Sequence, residues 1–172
     1  DLNSEQAQKT AEYESGITRI YDQPLPALFH SYLNVVKSMN QAGSALAHYP
    51  GSPLIASEAA REIDKLALME LHPGEYQQLK AVFRRADNVA VHHRDGYEGV
   101  MSLLPPKPNR GLVLIDPSYE VKTEYLQVAK FINNAYQRWS NGCFAIWYPL
   151  LKAGNHHEML HKLKLSGIRK IL

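Results

Sequence analysis

Apolar residues recur at helical spacing through the first third of the chain. This spacing predicts helices at about residues 5–21, 26–40 and 53–64, and it predicts no strand in residues 1–48. Two prolines separate the first helix from the second, and a proline at the first turn of the second suits a helix start. The N-terminal part is therefore expected to be entirely helical.

After residue 64 the pattern changes, and short apolar runs alternate with segments at helical spacing. Strands are predicted at 66–69, 89–91, 111–115, 143–148 and 168–172, and helices at 74–83, 97–103, 122–139 and 156–165. Such alternation is typical of a parallel sheet that is covered by helices on both faces. Because the strand runs are continuously apolar, each strand is predicted to be buried on both sides. The sequence thus predicts an α/β fold.

Composition narrows the class of protein. The 172 residues are 45% hydrophobic and 21% charged, which is typical of one soluble globular domain, with or without a small appendage. The formal net charge of +2 permits a nucleic-acid partner without requiring one, because binding needs clustered charge. Cys143 is the single cysteine, which excludes an internal disulfide framework and a cysteine-rich zinc site. It is predicted to be an inert core thiol.

The sequence also bears on location. No apolar run approaches the roughly 18 residues that a membrane-spanning helix needs. The polar start DLNSEQAQKT does not resemble a signal peptide. A cytoplasmic protein with no membrane association is therefore expected.

Acidic residues follow three of the predicted strands, at the edge of a parallel sheet where ligands bind. A carboxylate at a strand tip, such as Glu70, suits a ribose diol because it accepts hydrogen bonds from both hydroxyls. Asp95 suits the exocyclic amine of an adenine, and Gly96 lets the backbone approach the ring. Together these residues favour an adenosine-containing cofactor. The alternative is that the acids only cap strand ends and helices.

The third acid begins the segment Asp116-Pro117-Ser118-Tyr119, which resembles the (D/N)PP(Y/F/W) loop of S-adenosylmethionine-dependent amino-methyltransferases. The Asp116 carboxylate and the Pro117 carbonyl can accept hydrogen bonds from an exocyclic amine, so that its lone pair points at the methyl donor. The Tyr119 ring is expected to stack on the extruded base. Ser118 replaces the second proline of the motif. The alternative is a tight turn rich in Asp, Pro and Ser.

Several motifs together identify a family. Alongside the Asp116 loop they are Tyr49-Pro-Gly-Ser-Pro53, Glu70-Leu-His-Pro73, Asp95-Gly96, Ala145-Ile-Trp-Tyr-Pro149 and Gly167-Ile-Arg-Lys-Ile-Leu172. As a set they resemble the RlmJ family of bacterial 23S ribosomal RNA adenine-N6 methyltransferases, whose older description is proteins involved in the catabolism of external DNA. The resemblance covers essentially all 172 residues.

The resemblance implies a Rossmann-like class I S-adenosylmethionine-dependent methyltransferase sheet with a small helical insertion. Residues 1–48 would be the insertion subdomain, which helps to hold RNA, and residues 49–172 would be part of the methyltransferase domain. The cofactor S-adenosylmethionine would be contacted by Ser52, Glu70, Asp95, Gly96 and Asp116, and the catalytic group would be Asp116, Pro117 and Tyr119. The implied partner is 23S ribosomal RNA, and the protein is expected to act as a monomer.

The resemblance also implies parts of the family that lie outside this chain. A glycine-rich cofactor loop and the first strand of the sheet would precede Asp1, and further strands would follow Leu172. That first strand would lie between the strands at 66–69 and 111–115. The 172-residue chain alone is therefore expected to bind the cofactor poorly.

Two other functions stay open. His157-Glu158-Met-Leu-His161 fits the zinc-hydrolase helix motif, although no third ligand stands at a plausible spacing. A nucleic-acid-binding protein of external DNA utilisation would use scattered cations for phosphate contacts; these are Arg84, Arg85, Lys107, Arg110 and Lys122. Trp139 and Trp147 are interpreted as packing residues.

Overall fold

The computed structural model describes residues 1–40 and 45–172, and two compact units are present. The first unit is Asp1–Leu68 with Gln78–Val91, and the second is Met69–Gln77 with His92–Leu172. The predicted boundary at residue 48 stays a prediction.

The first unit begins with short helices. They are α1 (Glu5–Thr10), α2 (Glu12–Ser15), a 3-10 turn (Ile17–Arg19), a second 3-10 turn (Ala27–Phe29), α3 (His30–Ser38) and α4 (Ser52–Ala59). The prediction of one helix over residues 5–21 is wrong, because Ala11 adopts a left-handed conformation with φ 49° and Gly16 leaves helical geometry with φ −102° and ψ −110°. Among the described residues of 1–48 no strand occurs, as predicted.

The core of the first unit is formed by Ile17, Tyr21, Leu33 and Val36. The second predicted helix starts late, at His30, because a 3-10 turn precedes it, which is wound more tightly and rises further per residue than an α-helix. Leu28, which α-helical spacing over residues 26–40 would place on the apolar face, is 87% exposed.

The second part of the chain alternates strands and helices, as predicted. The elements are β1 (Leu66–Glu70), α5 (Pro73–Val82), β2 (Val89–His93), α6 (Gly96–Leu103), β3 (Leu112–Ile115), α7 (Glu124–Arg138), β4 (Cys143–Ile146) and α8 (Asn155–Leu165). β1 and β2 form one two-stranded sheet, and β3 and β4 form another. At one end of the first pair Leu66 N–H donates to Asn88 O, and at the other Arg94 N–H donates to Glu70 O. The residue numbers of the bonded partners thus increase together along β1 and β2, so the two strands run in the same direction.

The β3–β4 pair is parallel, with Ile115 opposite Ile146. Helices α7 and α8 pack against each other and against one face of this pair, in a core that includes Tyr125, Met159 and Leu163. The opposite face is exposed, with Leu112 at 64% and Leu114 at 54%. The prediction of burial on both sides is therefore wrong for these strands. The side chains alternate between the faces, and α7 and α8 cover one of them.

Two further predictions are corrected. Cys143 is exposed and not a core thiol, because it lies on the uncovered face of β4 opposite Leu112. Residues 168–172 form no strand, since an apolar β-branched run becomes a strand only when a neighbouring strand pairs with it. No helix in the described ranges combines the length and the apolar character that crossing a bilayer requires.

Candidate active site

The carboxyl ends of β1 and β2 bring Glu70 and Asp95 together. Arg94 N–H donates to the Glu70 carbonyl at 3.2 Å, so the two acids stand at adjacent strand ends of the second unit. Glu70 Oε1 accepts a hydrogen bond of 2.7 Å from His72 N–H and closes the turn into α5. Asp95 Oδ1 accepts one of 2.9 Å from Glu98 N–H and caps α6. Both acids thus cap local structure, as the alternative interpretation expects. Both also lie at strand ends, as predicted.

A glycine lets α6 approach β1. A Cβ atom on Gly99 would lie 2.5 Å from the Met69 sulfur, so only glycine fits without moving that side chain. At Gly96 the nearest atom to an added Cβ is Met69 Cβ at 3.9 Å, which is ordinary van der Waals contact. The close packing at Gly99 holds the first turn of α6 next to the tip of β1.

The side chain of His93 makes two contacts that the sequence did not predict. Its ring stacks on Tyr76 with centroids 4.9 Å apart, and its Nε2 lies 3.0 Å from the Leu71 carbonyl oxygen. The strand end that carries Asp95 is thereby fixed against the turn that follows Glu70.

The loop that starts at Asp116 follows β3 directly. Asp116 and Ser118 are exposed, Pro117 is half-buried and Tyr119 is buried. Tyr119 has φ 54°, a left-handed conformation that costs a non-glycine residue roughly 1–2 kcal/mol. The surrounding contacts must offset this cost.

Those contacts come from the end of β4. Tyr119 O–H donates to the Trp147 carbonyl at 2.9 Å, and Trp147 N–H donates to the Ile115 carbonyl at 3.0 Å. Tyr125 O–H donates to the Pro149 carbonyl at a longer distance of 3.4 Å. The loop after β3 is thus bound to the segment after β4.

The first residue of α7 supports the same loop. Glu124 Oε2 accepts hydrogen bonds of 3.4 Å from the Ser118 hydroxyl and from Val121 N–H. Ser118, which replaces the second proline of the motif, therefore contributes a side-chain hydrogen bond, whereas a proline would contribute a rigid ring.

The Tyr119 ring lies in the core and is 6% exposed. It packs on Tyr125 with centroids 4.5 Å apart and on Trp147 at 6.4 Å. Its predicted stacking on a target base stays a prediction.

Tyr97 connects the Asp95 end of the site with the Asp116 loop. Its pKa is raised by burial and then by the negative charges of Glu124 and Asp95. The pKa of Tyr119 is also raised, by burial first and then by Tyr97, Tyr125, Asp116 and Glu124. Tyr119 belongs to the core cluster around α7 and α8, and Tyr97 packs against the same cluster.

Two groups of the second unit carry unusual electrostatics. Burial raises the pKa of the Asp116 carboxyl above its ordinary value. The Tyr97 hydroxyl is buried and has no hydrogen-bond partner in the described part of the chain. A perturbed acid and an unsatisfied buried hydroxyl are each features that occur at functional sites.

The acids fit an adenosine group. Glu70 and Asp95 each use one carboxylate oxygen for a local cap, and the second oxygen of each makes no hydrogen bond within the described ranges. Two such acceptors can bind ribose hydroxyls and an adenine amine, respectively. Ser52 belongs to the first unit, where it is exposed in the first turn of α4.

The zinc motif lies on α8, where Glu158 Oε1 is 3.9 Å from Lys162 Nζ. In residues 1–40 and 45–172 no group of three His, Cys, Asp or Glu side chains could hold a metal ion. The neighbouring His156 is buried and packs against Tyr148 and His157 instead.

Sequence reasoning missed Glu124, Tyr97 and Trp147. Glu124 could have been found as an acid in the first turn of a helix that follows the loop. Nothing in the local pattern indicates that the Tyr97 hydroxyl is buried or that Trp147 is exposed, because both facts depend on tertiary packing.

Comparisons with known proteins agree with this geometry. Residues 1–172 match the family model described as "Ribosomal RNA large subunit methyltransferase D, RlmJ". The chain is 46% identical to Ribosomal RNA large subunit methyltransferase J of Escherichia coli and 44% identical to the protein of the same name from Haemophilus influenzae. Each match covers 99% of this chain and 61% of the relative.

A crystal structure of a Legionella pneumophila protein is similar with a TM-score of 0.88 and 38% identity, over 97% of this chain and 61% of that one. The chain therefore spans about three fifths of the length of the curated relatives it matches. The match of fold and family confirms the predicted α/β, Rossmann-like methyltransferase class. With its parallel strands, its strand-end acids and its Asp-Pro-Ser-Tyr loop, the chain belongs to the RlmJ family of ribosomal RNA large subunit methyltransferases.

Proposed function

We propose that the protein containing this chain transfers a methyl group from S-adenosylmethionine to the N6 amine of an adenine in 23S ribosomal RNA. The observation that carries the proposal is the Asp-Pro-Ser-Tyr loop after β3, which is tied to the end of β4 by the hydrogen bond from the Tyr119 hydroxyl to the Trp147 carbonyl. The names of the relatives, which are large-subunit ribosomal RNA methyltransferases, support this substrate class.

The residues of the loop act on the amine. The Asp116 carboxylate and the Pro117 carbonyl accept hydrogen bonds from its two protons, which orients the nitrogen lone pair. As the nitrogen gains a bond, it becomes positively charged, and the carboxylate stabilises that charge. When bound, S-adenosylmethionine would supply the methyl group: its methyl–sulfur bond would break, the neutral thioether would leave, and the methylated nitrogen would lose one proton to solvent.

Cofactor binding is assigned to the other strand ends. Glu70 holds the ribose through its carboxylate, and Asp95 accepts a hydrogen bond from the adenine amine while Gly96 borders the ring. Ser52 adds a hydroxyl contact in the whole protein. The support is the unused carboxylate oxygen on each of the two acids.

The helical residues 1–48 are proposed to be an insertion that helps to hold the RNA. We further propose that the protein works as a monomer in the cytoplasm, where ribosomal RNA is found. Sedimentation of the full-length protein, alone and with RNA, tests the oligomeric part of this proposal.

The test is transfer of tritiated methyl groups by the full-length protein to 23S ribosomal RNA and, in parallel, to DNA. We expect incorporation into the RNA, with the product identified as N6-methyladenine. Replacement of the acceptor in Asp116→Ala should abolish transfer while cofactor binding stays detectable.

A matched control is Glu120→Gln, because Glu120 is an exposed acid of the same loop that has no assigned role. This variant should keep the wild-type rate. Full activity of Asp116→Ala, or methylation of DNA in place of RNA, would contradict the proposal.

A further inference from the structure

The peptide group between Leu71 and His72 makes a hydrogen bond at each of its two polar atoms. Its carbonyl oxygen lies 3.0 Å from His93 Nε2, and its N–H donates to Glu70 Oε1 at 2.7 Å. Because a carbonyl oxygen only accepts, His93 Nε2 carries the proton of the first bond. One peptide group thus joins the His93 imidazole to the Glu70 carboxylate.

The geometry of a peptide group couples these two bonds. The peptide between Leu71 and His72 is trans, and a trans peptide is planar, with its carbonyl and its N–H pointing in opposite directions. A rotation of this plane that moved the carbonyl away from His93 would therefore also turn the N–H away from Glu70. The imidazole of His93 thereby controls the direction of the donor that binds the carboxylate.

Hydrogen bonds, more than burial, hold this turn in place. Leu71 is 61% exposed and His72 is exposed, so water competes for both bonds of the peptide. His93 is itself supported by Tyr76 of α5, on which its ring stacks with centroids 4.9 Å apart. Tyr76 N–H also donates to the His72 carbonyl at 2.9 Å, so the first turn of α5 supports both the turn and the ring that contacts it.

We propose that His93 is a positioning residue for the ribose of the cofactor. It holds the peptide between Leu71 and His72 so that the Glu70 carboxylate keeps one oxygen on the peptide N–H and offers the other to the ribose diol. This inference rests on the proposed function, which assigns the ribose to Glu70. Because His93 acts through Glu70 and not on the reacting atoms, its loss weakens cofactor binding without slowing the chemical step.

The kinetic test uses the full-length protein with two replacements of His93. His93→Phe keeps a ring against Tyr76 and removes the donor, whereas His93→Gln keeps a side-chain N–H donor. We expect the phenylalanine variant to raise KM for S-adenosylmethionine about 3-fold to 10-fold, with kcat and KM for the RNA within about 2-fold of the wild type. The glutamine variant should stay within about 2-fold of the wild type in all three constants.

A matched control is His92→Phe on the preceding residue of β2. His92 is exposed and, because side chains alternate along a strand, it points to the other face. The same chemical change at this position should leave KM for the cofactor unchanged. A loss equal to that of His93→Phe would overturn the inference, because it would not depend on the contact with Leu71.

Calorimetric titration with S-adenosylhomocysteine, the demethylated cofactor, shows whether His93 acts through Glu70. Glu70→Ala should weaken binding, and adding His93→Phe to it should weaken binding by less than about 2-fold more, since residues of one network have non-additive effects. Losses that multiply would show a general structural role and overturn the inference. If His93→Phe does not fold, His93→Asn takes its place, because its amide is one carbon shorter than that of the glutamine variant.

The outcomes separate this inference from the proposed function. The expected changes in cofactor binding without methyl transfer to RNA would refute the proposed reaction and leave the role of His93 in place. If Glu70→Ala weakens binding and His93→Phe does not, the ribose contact stands and the inference fails. Unchanged binding in Glu70→Ala would refute both the ribose contact and the role of His93.

Discussion

Three buried or half-buried tyrosines around the Asp116 loop differ in what their hydroxyl groups contact. Tyr119 makes a hydrogen bond of 2.9 Å, Tyr125 makes one of 3.4 Å, and the Tyr97 hydroxyl has no partner in the described part of the chain. Replacement by phenylalanine removes only the hydroxyl, so the three variants form a matched series. We predict that their effects on the free energy of unfolding differ in sign.

The magnitudes follow from the hydrogen bonds. Tyr119→Phe removes a well-formed bond and leaves a carbonyl without its donor, which should destabilise the protein by about 1–2 kcal/mol. Tyr125→Phe removes a long, weak bond and should cost at most about 0.5 kcal/mol. Tyr97→Phe removes an unsatisfied buried hydroxyl and should stabilise the protein by about 0.5–1 kcal/mol.

The assay is denaturant unfolding of the full-length protein with its three variants at neutral pH, together with thermal melting. For a domain of 150–250 residues, 1 kcal/mol corresponds to a shift of about 2–4 °C in the melting temperature. If Tyr97→Phe destabilises the protein as much as Tyr119→Phe does, the assigned hydroxyl environments are wrong and the reasoning is refuted.

Two further predictions concern the loop acid and the uncovered strand face. Burial raises the pKa of Asp116, and its charged form is the acceptor, so methyl transfer should fall as the pH is lowered through a pKa above the ordinary aspartate value. Burial also disfavours the charged Asp116 carboxylate in the folded state, so Asp116→Asn should slightly raise the free energy of unfolding at pH values above this pKa. The difference between the variant and the wild type should vanish below the ordinary aspartate pKa. A rate of methyl transfer that stays constant across this pH range would contradict the assignment. Leu114 is 54% exposed on a continuously apolar strand, and in a protein as long as the curated relatives we expect residues outside this chain to cover it. Leu114→Ala should then cost the full-length protein about 2–4 kcal/mol in denaturant unfolding, whereas a change within about 0.5 kcal/mol would show an exposed face.

The sequence pattern predicts the order of elements because strand and helix periods are local properties. The strands at 66–70, 89–93, 112–115 and 143–146 appear close to their predicted places. What a strand faces is not local: Leu112 and Leu114 have the composition of a doubly buried strand, yet only one face of β3 packs against α7 and α8. The end of helix α1 at Ala11 was also not predictable from the sequence, because alanine favours a helix and its left-handed conformation depends on the surrounding structure.

The positions of the candidate acids were predictable for the same reason. Glu70 ends one strand, and Asp95 and Asp116 follow two others, so their positions at strand ends require only the element order. Which ring faces the solvent was not predictable. The bond that fixes Tyr119 joins residues 28 positions apart, and no local pattern encodes it.

The rigidity of the Asp116 loop has a source outside the loop itself. In the motif it resembles, two prolines restrict the backbone, but here Ser118 replaces one of them. The loop nevertheless holds Tyr119 at φ 54°, which requires contacts that offset a left-handed conformation. Those contacts are the Trp147 carbonyl at the end of β4 and the Glu124 carboxylate at the start of α7. The orientation of the amine acceptors is therefore set by the packing of β4 and α7 against β3, and that packing also leaves Trp147 exposed beside Asp116.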